Sequence, residues 1–247
     1  MRAGPPAGDL RPRAAARIVA AMHETLAAEV AGHLRRHPFP GGASWPEGLP
    51  ESLGRFCAAL AAANEHLNLT GITDARGMAL LHVLDSLLAA PLLGDAATAM
   101  DLGSGGGLPG IPLALARPEL SMTLVESRER KAAALAALVD ELGLAPRITA
   151  VHARGERWLA DHAVDVVVAR AVEALPELLK RLRPVRRRIG RLILLKGPAV
   201  DAELAGLERR LASLGFPQPV RHESELPDGA GRRVLLDFRL ALARDAG

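Results

Sequence analysis

The sequence predicts an α/β protein: a mostly parallel seven-stranded sheet flanked by helices and preceded by a helical cap. Three observations predict it. From about Thr98 onward, short apolar segments of strand length alternate with helical stretches, the order that builds a parallel sheet with helices on both faces. Between the first of these segments and the helix after it lies a glycine run, five glycines in the eight positions from Gly103 to Gly110. Ahead of Thr98 the apolar spacing is that of helices alone.

The elements follow in order. Residues 1–13 are rich in Gly, Pro and Arg and read as disordered. Residues 14–36 suit a helix, and residues 37–50, with four prolines and three glycines, a loop. Residues 51–66 and 77–88 read as two further helices, the second capped by Asp74. Strands are expected at 98–102, 122–126, 147–152, 165–169 and 191–196, with helices at 108–116, 128–142 and 173–182 between them. Residues 199–214 read as a last helix. Strands at 219–223 and 232–241 then meet through the turn Pro227-Asp228-Gly229, an antiparallel hairpin at the sheet edge. The organisation expected is an N-terminal extension over 1–50, partly disordered with one helix, a helical cap over 51–95, and the sheet domain over 96–242.

Composition narrows the function. The 247 residues, 49% hydrophobic, can bury one substantial core. A formal charge of +3 permits an acidic partner such as RNA without requiring one. A single cysteine, Cys57, excludes a disulfide framework and a multi-cysteine zinc site, and no metal is expected. No apolar run reaches the roughly 18 residues that span a bilayer. The N-terminal arginines interrupt any signal-peptide core, so the expected location is the cytoplasm, with no membrane partner.

The glycine run narrows it further. Glycine has no Cβ and takes positive φ, so backbone can approach a nucleotide-like ligand at the carboxyl edge of the sheet. A P-loop fails because no Gly-Lys-Ser/Thr closes the run. Two registers remain. Gly105-x-Gly107-x-x-Gly110, with Glu126 about twenty residues on, matches a dinucleotide fingerprint. Against it, Pro109 and Pro112 crowd the first helical turn, which a start near Leu108 accommodates better. Asp101-x-Gly103-x-Gly105 is the usual first motif of S-adenosylmethionine-dependent methyltransferases, in which Glu126 would hydrogen-bond the ribose. The competing reading of Glu126 is a solvated acid capping the next helix.

The motifs Asn68-Leu69-Thr70, His82-x-Leu84-Asp85-Ser86, Asp101-Leu102-Gly103-Ser104-Gly105-Gly106-Gly107-Leu108-Pro109-Gly110-Ile111-Pro112-Leu113, Arg170-Ala171 and Leu195-Lys196-Gly197 stand in order. With them the chain resembles the bacterial small-subunit (16S) ribosomal RNA guanine-N7 methyltransferase G family, also called the glucose-inhibited division protein B family, over about residues 52–240. The resemblance implies the class I Rossmann-like methyltransferase fold, S-adenosyl-L-methionine as cofactor, and small-subunit ribosomal RNA or the assembled small subunit as partner. It implies cofactor contacts at Gly103, Leu108, Gly155, Glu156 and Arg170. Two departures concern RNA rather than cofactor: Leu81 replaces a frequent basic residue, and Arg232-Arg233 replaces the usual Arg-His.

The residue inventory agrees with ring-nitrogen chemistry. Guanine N7 has an in-plane lone pair and no proton, so methyl transfer needs positioning and electrostatics and no general base. The chain has no tyrosine, which excludes the Asn/Asp-Pro-Pro-Tyr motif of exocyclic-amine methylation. Cys57 lies among alanines in a helix, where it reads as a buried apolar residue and not a nucleophile. Asp85 is the candidate carboxylate for charge arriving on the base, with His82 three residues away on the same helix face, as a partner or merely a structural pair. Arg170 and Lys196, which follow successive strands, are expected at the rim of the cleft. An ordinary strand exit is the competing reading of Lys196. Seven basic residues between Lys180 and Arg191 read as a solvated face or an RNA backbone contact. Aromatics are 2% of the chain, so recognition should use shape and phosphates more than stacking. The rival functions are a nicotinamide-dependent oxidoreductase, which lacks its tyrosine here, and a non-catalytic RNA-binding protein, which has no use for this glycine run. The chain is expected to act as a monomer.

Overall fold

The computed structural model describes residues 10–37, 40 and 45–242, with side chains from residue 21 on. Helix α1 (Leu10–Arg35) starts at residue 10, ahead of the expected 14, and residues 1–9 lie outside the described part. Helix α2 (Leu49–Leu67) buries Leu49, Leu53, Phe56, Cys57 and Leu60, a stripe at three- and four-residue spacing. Each such side chain contributes about 1.5–3 kcal/mol by leaving water. The stripe packs on α1, where Val30 and Leu34 are fully buried.

The third predicted helix is three pieces in one run: α3 (Ala75–Gly77), a π-helical stretch (Met78–Leu84) and α4 (Asp85–Leu87). Asp74 caps it as expected, accepting the Gly77 N–H at 2.8 Å. The segment Ala75–Leu93 corrects one expectation, because by length and composition it could cross a membrane. It is 67% buried inside the fold, so the core accounts for its apolarity.

Seven strands follow: β1 (Thr98–Leu102), β2 (Ser121–Glu126), β3 (Ile148–His152), β4 (Val164–Arg170), β5 (Ile189–Lys196), β6 (Val220–Leu226) and β7 (Gly231–Arg239). They form one sheet in the order β3-β2-β1-β4-β5-β7-β6. The first five are parallel, and β7 runs antiparallel between β5 and β6, the expected hairpin edge. Strand β4 is buried on both faces and shows no alternation, as a central parallel strand should. The chain moves outward from β1 to β3 and returns to β4 on the other side of β1. That reversal opens a crevice at the carboxyl ends of β1 and β4.

Helices α5 (Gly110–Ala116) and α6 (Glu129–Glu141) share one sheet face with the cap, in a core joining Phe56, Leu87, Ile111 and Leu135 to Leu124 and Val168. Helices α7 (Gly155–Asp161), α8 (Leu175–Leu182), α9 (Val200–Ala205) and α10 (Leu211–Leu214) cover the other face over Met100, Val167 and Leu192. The single helix expected at 199–214 is two, broken at Gly206, which follows α9 directly. Helix α7 went unpredicted, since seven residues are too few to show a period.

Candidate active site

The glycine run continues directly from β1. The N–H groups of Gly103 and Ser104 both donate to the Val125 carbonyl, at 2.8 and 3.2 Å, and pin the turn to the end of β2. Gly103 sits at φ +73°, and a Cβ there would approach Val172 to 3.2 Å. Helix α5 begins at Gly110 with Pro109 ahead of it, two positions later than the start expected near Leu108. The reason is Asp101, whose Oδ2 accepts the Gly110 N–H at 2.9 Å and fixes which donor opens the helix. A Cβ at Gly110 would lie 2.5 Å from Leu124 and 2.8 Å from Asp101 Oδ2, so that glycine serves packing.

Asp101 is wholly buried, and its Oδ1 has no partner. Burial pushes its carboxyl up to about 7, opposed by the Gly110 N–H and by the charge of Arg170. Glu126, at the end of β2, is buried and accepts the Gly105 N–H at 3.1 Å and the Arg128 N–H at 2.8 Å. Of the two readings of Glu126, the solvated cap is therefore corrected: the acid does meet the N-cap residue of α6, but it also faces the loop and is shielded from bulk water.

Two hollows of about 390 and 260 Å³ lie along this edge and share Gly103, Ser127 and Val172. Leu108, Glu126 and Arg170 line the larger; Ala153, Arg154 and Gly155 line the smaller. Of the residues expected at the cofactor, Gly103, Leu108, Glu126, Gly155 and Arg170 thus face one continuous cleft. Glu156 differs: its carboxylate accepts from Arg181 Nη1 at 2.8 Å, and Nε and Nη2 of the same guanidinium pair with Glu173. An ion pair at the rim takes that side chain, leaving only its backbone for the cleft.

A third hollow of about 450 Å³ adjoins the cleft and shares His82, Arg170 and Ala171 with it. Asp85 lies at its base, 6% exposed. Arg170 Nη1 donates to Asp85 Oδ2 at 2.9 Å and to the Leu81 carbonyl at 2.9 Å, and Arg233 Nε donates to Asp85 Oδ1 at 2.8 Å. The expected pairing of His82 with Asp85 is not formed. The intervening helix is π-wound, which changes the angular offset of residues three apart, and each side chain bonds elsewhere. His82 Nε2 instead lies 2.6 Å from Thr70 Oγ1, while Asn64 holds Thr70 through both its N–H and its carbonyl. Burial first, and then the nearby Arg170 charge, lower the His82 pKa to about 4, so the ring is neutral at neutral pH. Lys196 lines the pocket wall, but its ammonium donates to the Glu173 carbonyl at 2.9 Å and lies 3.4 Å from Glu203. It thereby braces the loop after β4.

The centre of the basic run falls at the wrong end for the cleft, although Arg181 reaches the smaller hollow. Residues 183–188 form a 3-10 turn at the amino end of β5, whereas the site sits at the carboxyl end. Arg181 and Arg191 in that run are held by Glu156 and Glu173 and by Asp237. Besides Arg170 and Arg181, the basic residues Arg128, Lys131 and Arg154 line the cleft, and these three the sequence reading passed over. Cys57 is fully buried, its thiol pushed up to about 12 by burial, and far from nucleophilic. Sequence reasoning named Arg233 only as a departure that concerns RNA and missed its contact with Asp85, 148 residues away. It named Ala171 only within the Arg170-Ala171 motif, not as a non-glycine residue at φ +52° between cleft and pocket. Among the described residues no group of three or more His, Cys, Asp or Glu could hold a metal.

Comparison with known proteins finds the family described as rRNA small subunit methyltransferase G over residues 50–225. A protein of Solibacter usitatus named ribosomal RNA small subunit methyltransferase G is 36% identical over 188 residues, covering 76% of this chain and 89% of its own. Proteins of the same name from Sorangium cellulosum and Alkalilimnicola ehrlichii are 45% and 37% identical, covering 62% and 80% of this chain and 66% and 86% of theirs. Among solved structures, the N-terminal domain of human METTL16 in complex with SAH superposes with a TM-score of 0.55 at 15% identity, covering 86% of this chain and 93% of that one. That likeness shows the fold alone.

Proposed function

The chain belongs to the rRNA small subunit methyltransferase G family, and on that premise we propose that it methylates N7 of a guanine in 16S ribosomal RNA, using S-adenosyl-L-methionine. The cleft suits such a cofactor on its own geometry: positive-φ glycines leave open backbone at the switch point, a buried Asp101 oxygen lacks a partner beneath it, and Glu126 faces the loop. On this reading Gly103, Leu108 and the backbone at 155–156 hold the cofactor, Glu126 meets its ribose, and Arg170 stands between it and the substrate. When bound, the cofactor supplies a methyl group on a sulfonium, whose C–S bond breaks as the N7–C bond forms.

The observation that carries the reading is the continuity of cleft and pocket through Arg170 and Ala171, with Asp85 holding Arg170 from the pocket side. The pocket's titratable side chains are held: Asp85 by two arginines, His82 through Nε2 on Thr70 with Nδ1 unpartnered, and Lys196 on the Glu173 carbonyl. Attack by N7 requires no general base. The reaction leaves positive charge on the base, beside two guanidiniums. Asp85 offsets them, so its role is to keep the pocket wall from opposing that charge. Lys196 acts by holding the loop that follows Arg170. Arg128, Lys131 and Arg154 at the cleft rim supply cationic contacts for the RNA backbone. The partner is small-subunit RNA or the assembled small subunit, met by a cytoplasmic monomer working without a metal.

The test is methyl transfer from labelled S-adenosylmethionine to small subunits lacking their own N7 methylation, followed by cleavage of the RNA at 7-methylguanine by reduction and aniline. One new cleavage site, absent with Gly103→Asp, is the expected result. Cofactor binding without transfer would instead make the chain a binding protein that keeps the fold.

A further inference from the structure

The pocket beside the cleft has apolar walls from Ile72, Leu81 and Leu195, between which a planar base can lie, and a polar end at Asp85, Arg170 and Arg233. Which base it takes depends on what that end offers. Each Asp85 oxygen already accepts a guanidinium N–H. Asp85 keeps further lone pairs, but the guanidinium N–H groups that these bonds leave unused make the polar end chiefly a donor. Arg233 is fixed on two sides, with Nε on Asp85 and Nη1 on the Arg232 carbonyl at 3.1 Å. Its Nη2 amine is the group left whole.

We propose that Arg233 is the specificity-determining residue for guanine, donating from Nη2 to the O6 carbonyl of the base seated in this pocket. The proposal rests on the guanine-N7 reading above. Adenine would turn its N6 amine toward the same amine, donor against donor, and both would lose water without gaining a bond. Arginine commonly reads guanine through O6 and N7 together, but that would occupy the lone pair that must attack the methyl group. With Nε and Nη1 committed, Arg233 takes O6 through a single amine and leaves N7 free. Asp85, bonded to the same guanidinium, damps its charge beside a base that becomes cationic.

The experiment compares small subunits reconstituted with guanosine or 2,6-diaminopurine at the methylated position. The analogue keeps N7 and the 2-amino group and puts an amine in place of O6. Full-length protein should favour guanosine by about 10- to 100-fold in kcat/KM. Arg233→Met, which keeps the apolar stem, should bring that ratio close to one while calorimetry finds cofactor affinity within about twofold of the parent. Arg233→Gln, which retains an amide donor, should give an intermediate ratio and serves if the methionine variant does not fold. Equal rates on both purines by the parent protein, or a ratio unchanged in the variants while both rates fall, would overturn the proposal alone. Cofactor binding with transfer to neither purine would overturn it together with the N7 reading.

Discussion

The cofactor cleft and the base pocket share Arg170 and Ala171 but are made in different ways. The cleft is chiefly backbone: the turn after β1, the end of β2 and the start of α7, each a short stretch of sequence. The pocket is side chains drawn from a cap helix, the end of β4 and the last strand, bound together by Asp85. A backbone site tolerates few substitutions at its own positions and depends little on distant ones. A side-chain site can be retuned from afar, since losing one partner leaves a charge that was balanced by it.

Gly103→Asp should separate the two most sharply. It places a charged side chain at φ +73°, against Val172 and beside the buried Asp101. Cofactor affinity by calorimetry should fall on the order of 100-fold or more, and all transfer with it. Asp85→Asn acts on the pocket and reaches the cleft only through Arg170. It leaves two guanidiniums facing the reacting base without a counter-charge, so single-turnover transfer should slow roughly tenfold or more at unchanged cofactor affinity. If affinity falls in step with the rate, cleft and pocket are one unit and the distinction fails.

A third comparison uses pH. Asp101, in the cleft, has its pKa raised from 3.8 to about 7. The folded chain therefore holds a proton that the unfolded chain has released, and the stability Asp101 contributes is full below about pH 4 and is lost as pH rises through 7. His82, beside the pocket, has its pKa lowered from 6.5 to about 4, so its contribution is present above pH 6.5 and is lost as pH falls through 4. The two oppose each other over nearly the same window. In urea titrations, Asp101→Asn should expose the His82 dependence, with stability falling toward acid, and His82→Gln should expose the reverse slope. The smallest effect belongs to Lys196→Met, which frees the loop after β4 from one hydrogen bond to a charged donor. A loss of about 1–2 kcal/mol in denaturant unfolding is expected, with KM for the RNA substrate rising more than kcat falls.

Much of the fold was legible because its signals are local. Alternating strand and helix patterns gave all seven strands, and Pro227-Asp228-Gly229 marked the final hairpin. The errors fall where local signals are weak or are outvoted. Helix α7 is too short to show a period. The helix expected to start near Leu108 starts at Gly110, because a carboxylate nine residues back selects its first donor. His82 and Asp85 have the spacing of a pair, but the π-helical winding between them and their outside partners keep them apart. The basic run at 180–191 reads as a solvated face or an RNA contact, and the strand direction puts its centre at the opposite edge from the cleft.

The sequence by itself determined the sheet, the glycine turn, the acids flanking it and the family resemblance, because each is carried by residues close together in the chain, where spacing and side-chain type fix the backbone. Only the tertiary structure decided what surrounds Asp85. Its partners lie 85 and 148 residues away, and nothing in their local sequence records that the parallel sheet and its final antiparallel strand bring them to one carboxylate. The same holds for Ala171, whose left-handed backbone is imposed by the elements it joins. Charge balance is a property of position in space, and position is settled only when the strands have paired.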